Sequence, residues 1–224
     1  MPVISFVSSK GGVGKTTSAV VLAGELVASG RSVIMIDADP NHPLVSWAGL
    51  QPLPAELSVV ADQSAETIID TIEDARAKAD FVIVDLEGTA TDRIGFAIAR
   101  SDLVLVPLQA SVLDATEAVK SIKLIRQMSR VAGREIPYRL FFSRIAAVIR
   151  ERTAKDIEQQ FAANGAAVLG AGIVDRAAFR AIFSLGGTLR AIEAKDVGGL
   201  QAARDNALAF AQGVIETLKK KAAA

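Results

Sequence analysis

No cysteine occurs in the 224 residues, so the chain can form no disulfide and offers no thiolate to a zinc site or an iron–sulfur cluster. Histidine is nearly as scarce, with His42 alone. No second imidazole exists to share a metal with it, and beside a proline-rich turn it reads as a surface residue. Tryptophan occurs once, at Trp47, which is expected to pack the short segment around it. No uninterrupted run of about 18 apolar residues is present, so no membrane-spanning helix is expected. Charge shows no excess of either sign: Lys+Arg and Asp+Glu stand at 25 each. That excludes bulk basicity as a route to nucleic acid and leaves only a local patch. The chain enters an apolar run at once, which leaves no room for a signal peptide. A cytoplasmic protein is the expectation.

Apolar material, by contrast, is plentiful. Half of the residues are hydrophobic and mean hydropathy is +0.34, enough to bury a large sheet. Short Val/Ile/Leu/Phe runs at 3–7, 33–36, 58–61, 81–84, 103–106 and 138–143 are bounded by turn residues and read as strands. Their near-continuous apolar character suits strands covered on both faces, hence a mostly parallel sheet. Helical spacing recurs between them, over 16–28, 65–79, 92–99, 115–131 and 153–163. A final helix over 199–221 aligns Leu200, Ala203, Ala207, Phe210, Val214 and Leu218 on one core-facing stripe. No repeat or Pro/Ser-rich linker divides the chain. Residues 1–224 are therefore expected to form one α/β domain of three layers, with the sheet between helices. The terminal Lys219-Lys220-Lys221 is followed only by alanines, so stable membrane insertion is not expected.

Ser9-Lys10-Gly11-Gly12-Val13-Gly14-Lys15-Thr16-Thr17 stands between the first strand and the first helix. That is the setting of a phosphate-binding loop. Its glycines let the backbone curl so that successive N–H groups, from Gly11 through Val13 and Gly14 into Thr16 and Thr17, face one anion at a helix N-terminus. Lys15 can place its ammonium on the β- and γ-phosphates, and Thr16 offers a hydroxyl to Mg²⁺. Two acidic segments come after it. Asp37-Ala38-Asp39-Pro40-Asn41 closes the second strand, at the carboxyl end where open α/β sheets bind ligands; taken alone, it reads first as an Asp-Pro turn. Phe81-Val82-Ile83-Val84-Asp85 is an apolar strand ending in aspartate, continued by Leu86-Glu87-Gly88-Thr89.

Together these segments resemble the ParA/MinD family of ATPases, whose deviant phosphate loop reads K-G-G-x-G-K-T. The resemblance implies ATP and Mg²⁺ as cofactors and slow, partner-stimulated ATP hydrolysis as the activity. It makes Lys10 the lysine that crosses a dimer interface to the nucleotide of the other subunit. It makes Asp39 the residue that orients the attacking water, and places Thr16, Asp37 and Asp85 around the metal. Gly88 would present its N–H to the γ-phosphate, and Ser143 and Arg144 would lie on the adenine side. Pro107 through Ser111 to Asp114 is similar to the family's I-P-x-x-P-S-x-x-D segment. Ile173 to Phe179, followed by Gly186-Gly187-Thr188-Leu189, is similar to its I-x-x-R-x-A-F…G-x-T-L ending. Two departures stand out. Leu86-Glu87-Gly88-Thr89 replaces the usual D-T-P-P and leaves Glu87 without a role. Asn41-His42-Pro43-Leu44-Val45-Ser46-Trp47 looks closer to the VirC-type branch. No N-K-x-D sequence occurs, so ATP is expected rather than GTP.

The resemblance further implies a homodimer when ATP is bound, non-specific DNA binding on the nucleoid, and a ParB-like or adaptor protein that stimulates hydrolysis. Plasmids, chromosomes or large protein clusters would be the cargo. An alternative is a VirC-type adaptor that assembles a DNA-transfer complex at the cell pole. A third is an ATP-coupled synthetase related to dethiobiotin synthetase, although no substrate pocket is readable. Arg176, Arg180, Arg190, Arg204 and Lys219 are the candidate DNA contacts. The competing reading of these residues is solvated charge interspersed with acids, which a net charge of zero allows.

Overall fold

The computed structural model describes residues 1–62, 64–88, 92–145 and 151–222, with residues 151–153, 221 and 222 as backbone only. Thr89 of the Leu86-Glu87-Gly88-Thr89 segment and the terminal Ala223-Ala224 lie outside the described residues. Strand and helix alternate along the chain. β1 (Val3–Phe6), α1 (Lys15–Ala28), β2 (Val33–Ala38), α2 (Pro43–Ala48) and β3 (Leu57–Ala61) come first. Next come α3 (Ile68–Lys78), β4 (Phe81–Leu86), α4 (Asp92–Arg100), β5 (Leu103–Leu108) and α5 (Val112–Ala132). β6 (Tyr138–Ile145), α6 (Glu151–Ala163), β7 (Ile173–Val174), α7 (Ala177–Leu185) and α8 (Leu200–Ala222) complete the order.

The described strands make a seven-stranded sheet in the order β3-β2-β4-β1-β5-β6-β7, and every pairing is parallel. Because successive side chains on a strand point to opposite faces, each strand feeds two cores. Ile4 and Phe6 of β1, Ile83 of β4, and Leu103 and Leu105 of β5 pack with α1, α2, α7 and α8. Val3, Val82, Val84, Val104 and Val106 pack with α3 to α6 on the other side. This two-sided burial is why the central strands β1, β4 and β5 are almost wholly apolar.

Phe141 anchors the first core, with its ring edge-on to Phe6 at 6.1 Å and tilted on Phe210 at 4.9 Å. The stripe expected on the last helix is the one that packs: Leu200, Ala203, Ala207, Phe210 and Val214 are buried, and Leu218 lies against the same core. Burial of each such large apolar side chain contributes about 1.5–3 kcal/mol. Three elements go beyond the sequence reading, among them α7, a nine-residue helix over Ala177–Leu185. β7 is a two-residue strand at the sheet edge. α2 is a single short helix immediately after the Asp37–Asp39 segment.

Strand register brings the acidic segments together. Asp37 of β2 stands directly beside Asp85 of β4, which in turn pairs with Phe6 at the end of β1. Three strand ends thus converge where the glycine-rich loop leaves β1.

Candidate functional site

The loop from Ser8 to Gly14 turns the chain from β1 into α1, using left-handed backbone at Gly12 (φ 70°) and Gly14 (φ 97°), where a side chain would be strained. Gly14 is the N-cap of α1, so the first amides of that helix face a cavity of about 650 Å³. Gly88 closes on the loop from the far side: a Cβ there would sit 3.3 Å from the Gly11 nitrogen and 3.4 Å from the Lys10 carbonyl carbon. The chain at Gly88 therefore rests directly on the start of the glycine loop.

Lys15 is 7 % exposed. Burial lowers the pKa of its ammonium, and the charges of Asp85, Asp39 and Glu87 pull it back up, in that order of size. The cation thus sits among three carboxylates. The Thr16 hydroxyl donates to Asp85 Oδ2 at 2.6 Å. Asp85 Oδ1 is buried with no hydrogen-bond partner, an arrangement that costs free energy unless something else meets that oxygen. Burial pushes the Asp85 carboxyl up to about 7, against the opposing effects of the Thr16 hydrogen bond and the Lys15 charge; Asp37 and Asp39 push it further up. A buried carboxylate oxygen in want of a partner, beside a threonine hydroxyl and a lysine, is a donor set suited to a hard divalent cation with phosphate oxygens.

Asp37 and Asp39 are placed differently, although only Ala38 separates them. Asp37 is fully buried, and its Oδ2 accepts from the backbone N–H groups of Leu44 and Val45 at 2.8 and 2.9 Å. It holds the N-terminus of α2, where a carboxylate is favoured. Asp39 lines the cavity, and its Oδ1 accepts from the backbone N–H and the side-chain amide of Asn41, each at 2.9 Å.

Ser143 and Arg144, at the end of β6, fasten the loop from outside. The Ser143 hydroxyl donates to the Val13 carbonyl at 2.6 Å, and Arg144 Nη1 donates to the Gly12 carbonyl at 3.1 Å. Both line the cavity.

Lys10 does not line this cavity. Its Nζ lies 3.1 Å from both oxygens of Asp114, in the first turn of α5 of the same chain. Ser111 caps that helix by accepting from the Asp114 N–H at 3.1 Å. The S-x-x-D pattern was legible in the sequence; the ion pair, spanning 104 residues, was not.

Of the arginines expected on a DNA face, Arg180, Arg190 and Arg204 have partners within the chain. Arg176 and Arg180 line the phosphate-loop cavity from the β7–α7 side, and Arg180 is paired with Asp175. Arg190 binds Glu25 of α1 through two contacts, at 2.9 and 2.5 Å. Arg204 donates to the carbonyls of Leu189, Arg190 and Ile192. Lys219 lies at the opposite end of the sheet, beside Met1 and Phe81. Glu87, which had no assigned role, pairs with Arg93 of α4 at 2.6 Å. Among the described residues no helix is long and apolar enough to cross a membrane.

The whole layout, a parallel sheet with a glycine loop and two strand-end aspartates, invites comparison with known proteins. The family model described as VirC1 protein matches residues 1–210. The chain belongs to the VirC1/ParA family. It is similar to Protein ParA of Rhizobium radiobacter, 37% identical over 218 residues that cover 97% of this chain and 98% of that protein. It is similar also to protein virC1 of Rhizobium rhizogenes, 29% identical over 157 residues, which cover 68% of this chain and 64% of that one. In fold, it matches the MinC:MinD cell division protein complex of Aquifex aeolicus with a TM-score of 0.75, at 19% identity and 96% coverage of each chain. The VirC1/ParA chain thus stands among partition and positioning ATPases, and its sheet is the one the P-loop fold of that group predicts.

Proposed function

We propose that this VirC1/ParA chain is an ATP-timed switch: it binds ATP with Mg²⁺, dimerises in that state, and resets on slow hydrolysis stimulated by a partner protein. The observation that carries the reading is the convergence of Lys15, Thr16 and Asp39 on one cavity also lined by Gly88, with Asp85 buried behind it and joined to it through the Thr16 hydroxyl. In this reading residues 1–224 act as a single ATPase domain. The amides of Gly11 to Thr17 cradle the phosphates, and Lys15 neutralises them. Thr16 and Asp85 hold the metal, which supplies charge neutralisation on the phosphate oxygens. Asp37 is a positioning residue: it adds negative charge beside Asp85 while tying the site to α2. Asp39 orients the attacking water, since phosphoryl transfer depends mainly on positioning and on stabilising charge. Ser143, Arg144 and Arg176 shape the base end of the cavity. Lys10 exchanges Asp114 for the nucleotide of a second copy. A cytoplasmic, nucleoid-associated protein that binds DNA and acts with a ParB-like or adaptor partner fits this cycle.

The test is turnover by variant. Lys15→Ala is expected to lose ATP binding, whereas Asp39→Ala keeps binding and loses hydrolysis. Equal turnover in Asp39→Ala and the unaltered chain would remove Asp39 from the mechanism.

A second reading has support from the VirC1 match over residues 1–210 and the Pro-Leu-x-x-Trp segment. There the same switch gathers DNA-processing proteins for transfer at a cell pole. A small basic DNA-binding protein encoded next to this chain favours partition; relaxase components recovered with the ATP-bound form favour transfer.

A further inference from the structure

Arg180, Arg190 and Arg204 have partners within the chain, and a second group of cations stands on α5. From Ala118 to Arg134 the chain contains no acidic residue. In that stretch Lys120, Lys123, Arg126 and Arg130 all lie on α5, outside its buried face. Their spacing of three, three and four residues puts them on one face of the helix. At a rise of 1.5 Å per residue they recur every 4.5–6 Å, over about 15 Å in all.

Lys120 is paired with Glu117 at 2.6 Å. Lys123, Arg126 and Arg130 have no carboxylate within 4.0 Å among the described residues. Arg126 makes only a long contact, 3.4 Å, to the Tyr138 hydroxyl. The balance of the molecule is otherwise even, with 25 basic and 25 acidic residues. Three such cations in a row are therefore a local excess against a neutral whole.

Beside this stripe runs a groove of about 410 Å³ between α5 and α6. Lys123 and Arg126 line one wall, Gln160 and Asn164 the other, with Val119 between them. Neutral amides and flexible cations are groups that hold phosphate and sugar oxygens. No exposed aromatic ring lines the groove: its one aromatic, Phe161, is 6% exposed. Stacking of unpaired bases, the usual grip on single strands, has no platform here.

We propose that the Lys123–Arg126–Arg130 face of α5, with the adjoining α5–α6 groove, is a docking surface for the phosphate backbone of double-stranded DNA, read without regard to sequence. A duplex carries one charge per about 1.7 Å of axis, so evenly spaced cations meet phosphates in any register. An acidic protein would need carboxylates at positions matching the stripe, whereas a duplex presents phosphates along its whole length. The inference rests on the DNA-binding reading of the switch and gives it a surface. Because α5 also carries Asp114, the partner of Lys10, surface and ion pair share one rigid helix.

The experiment measures fluorescence anisotropy of a labelled random-sequence duplex with Mg-ATP, across about 50–200 mM salt. The variant is Lys123→Gln/Arg126→Gln/Arg130→Gln. Its control, Arg31→Gln/Lys78→Gln/Lys195→Gln, removes the same charge from other exposed sites. The α5 variant is expected to bind at least about tenfold more weakly, with a log–log salt slope reduced by about 2.7, since each lost phosphate contact removes about 0.9. The control is expected to stay within about twofold, and both variants keep basal ATP turnover. If the unaltered chain binds the duplex and the α5 variant binds equally well, the surface lies elsewhere and only this inference falls. If the unaltered chain binds no duplex but binds vesicles rich in phosphatidylserine or an acidic protein, the DNA reading falls with it.

Discussion

Lys10 and Asp114 are joined within one chain, the lysine Nζ lying 3.1 Å from each carboxylate oxygen. The aspartate is 4% exposed and the lysine 42%, so solvent screens the pair and its worth to stability is small. Its significance lies in competition. A lysine proposed to reach a second copy must first leave this carboxylate. Asp114→Asn keeps an acceptor in the first turn of α5 but removes the charge that detains Lys10. Dimer formation in an ATP titration followed by light scattering is expected at a few-fold lower ATP concentration. An unchanged or higher requirement would show that the pair does not hold the switch back.

Asp85 makes stability pH-dependent in the nucleotide-free protein. Its folded-state pKa is raised from 3.8 to about 7, so between these values the folded chain holds a proton that the unfolded chain has lost. Stability from this group is full below the unfolded value and declines as pH rises through about 7. Asp85→Asn, neutral at every pH, is expected to raise the melting temperature at about pH 8 and to leave it nearly unchanged at about pH 4. Thermal unfolding without Mg²⁺ or nucleotide checks this, and the same variant should bind Mg-ATP poorly.

Gly88 meets the phosphate loop too closely to tolerate a side chain. The atoms a Cβ would approach, at 3.3 and 3.4 Å, are backbone of Gly11 and Lys10, which cannot swing aside as a side chain could. Gly88→Ala is expected to push the chain at residue 88 off the loop by a few tenths of an ångström. ATP affinity, read by calorimetry, should fall at least about tenfold, because positioning dominates this chemistry. The melting temperature should move little.

Trp47 is 1% exposed, and its indole N–H donates to the Gly187 carbonyl at 3.0 Å across 140 residues of sequence. It ties α2, and through Asp37 the end of β2, to the turn before Leu189. Trp47→Phe keeps most of the apolar contact but strands that carbonyl, and is expected to cost about 1–3 kcal/mol in urea unfolding. A cost near zero would show that water replaces the indole.

The features legible in the sequence were those encoded within a few neighbouring residues. Ser9 to Thr17 carry their turn, their helix start and their chemistry in one stretch. The apolar runs ending at Asp37 and Asp85 announce strand ends in the same way. Features that depend on distant packing were not legible. α2 hid behind Pro40 and Pro43, which read as turn residues; it is held by Asp37 and by the Trp47–Gly187 contact, both tertiary. That Arg176 and Arg180 also line the cavity beside Gly12 and Lys15 was not legible, because nothing local shows that the chain after β7 runs along that cavity. The Lys10–Asp114 pair joins the turns after β1 and β5, and only the sheet order brings these together. Glu87, unexplained in sequence, found its partner six residues on in Arg93, once α4 had turned it inward.

The central claim, that ATP turns this chain from monomer to dimer through Lys10, is tested most directly by sedimentation equilibrium. The proteins are Asp39→Ala, chosen to keep ATP from being consumed, and the double variant Lys10→Ala/Asp39→Ala, each with Mg-ATP and with Mg-ADP. The account predicts a dimer only for Asp39→Ala with Mg-ATP, and a monomer in the other three conditions, with ATP still bound by the double variant. A dimer of equal strength in the double variant would contradict it and leave Lys10 a turn lysine paired to Asp114.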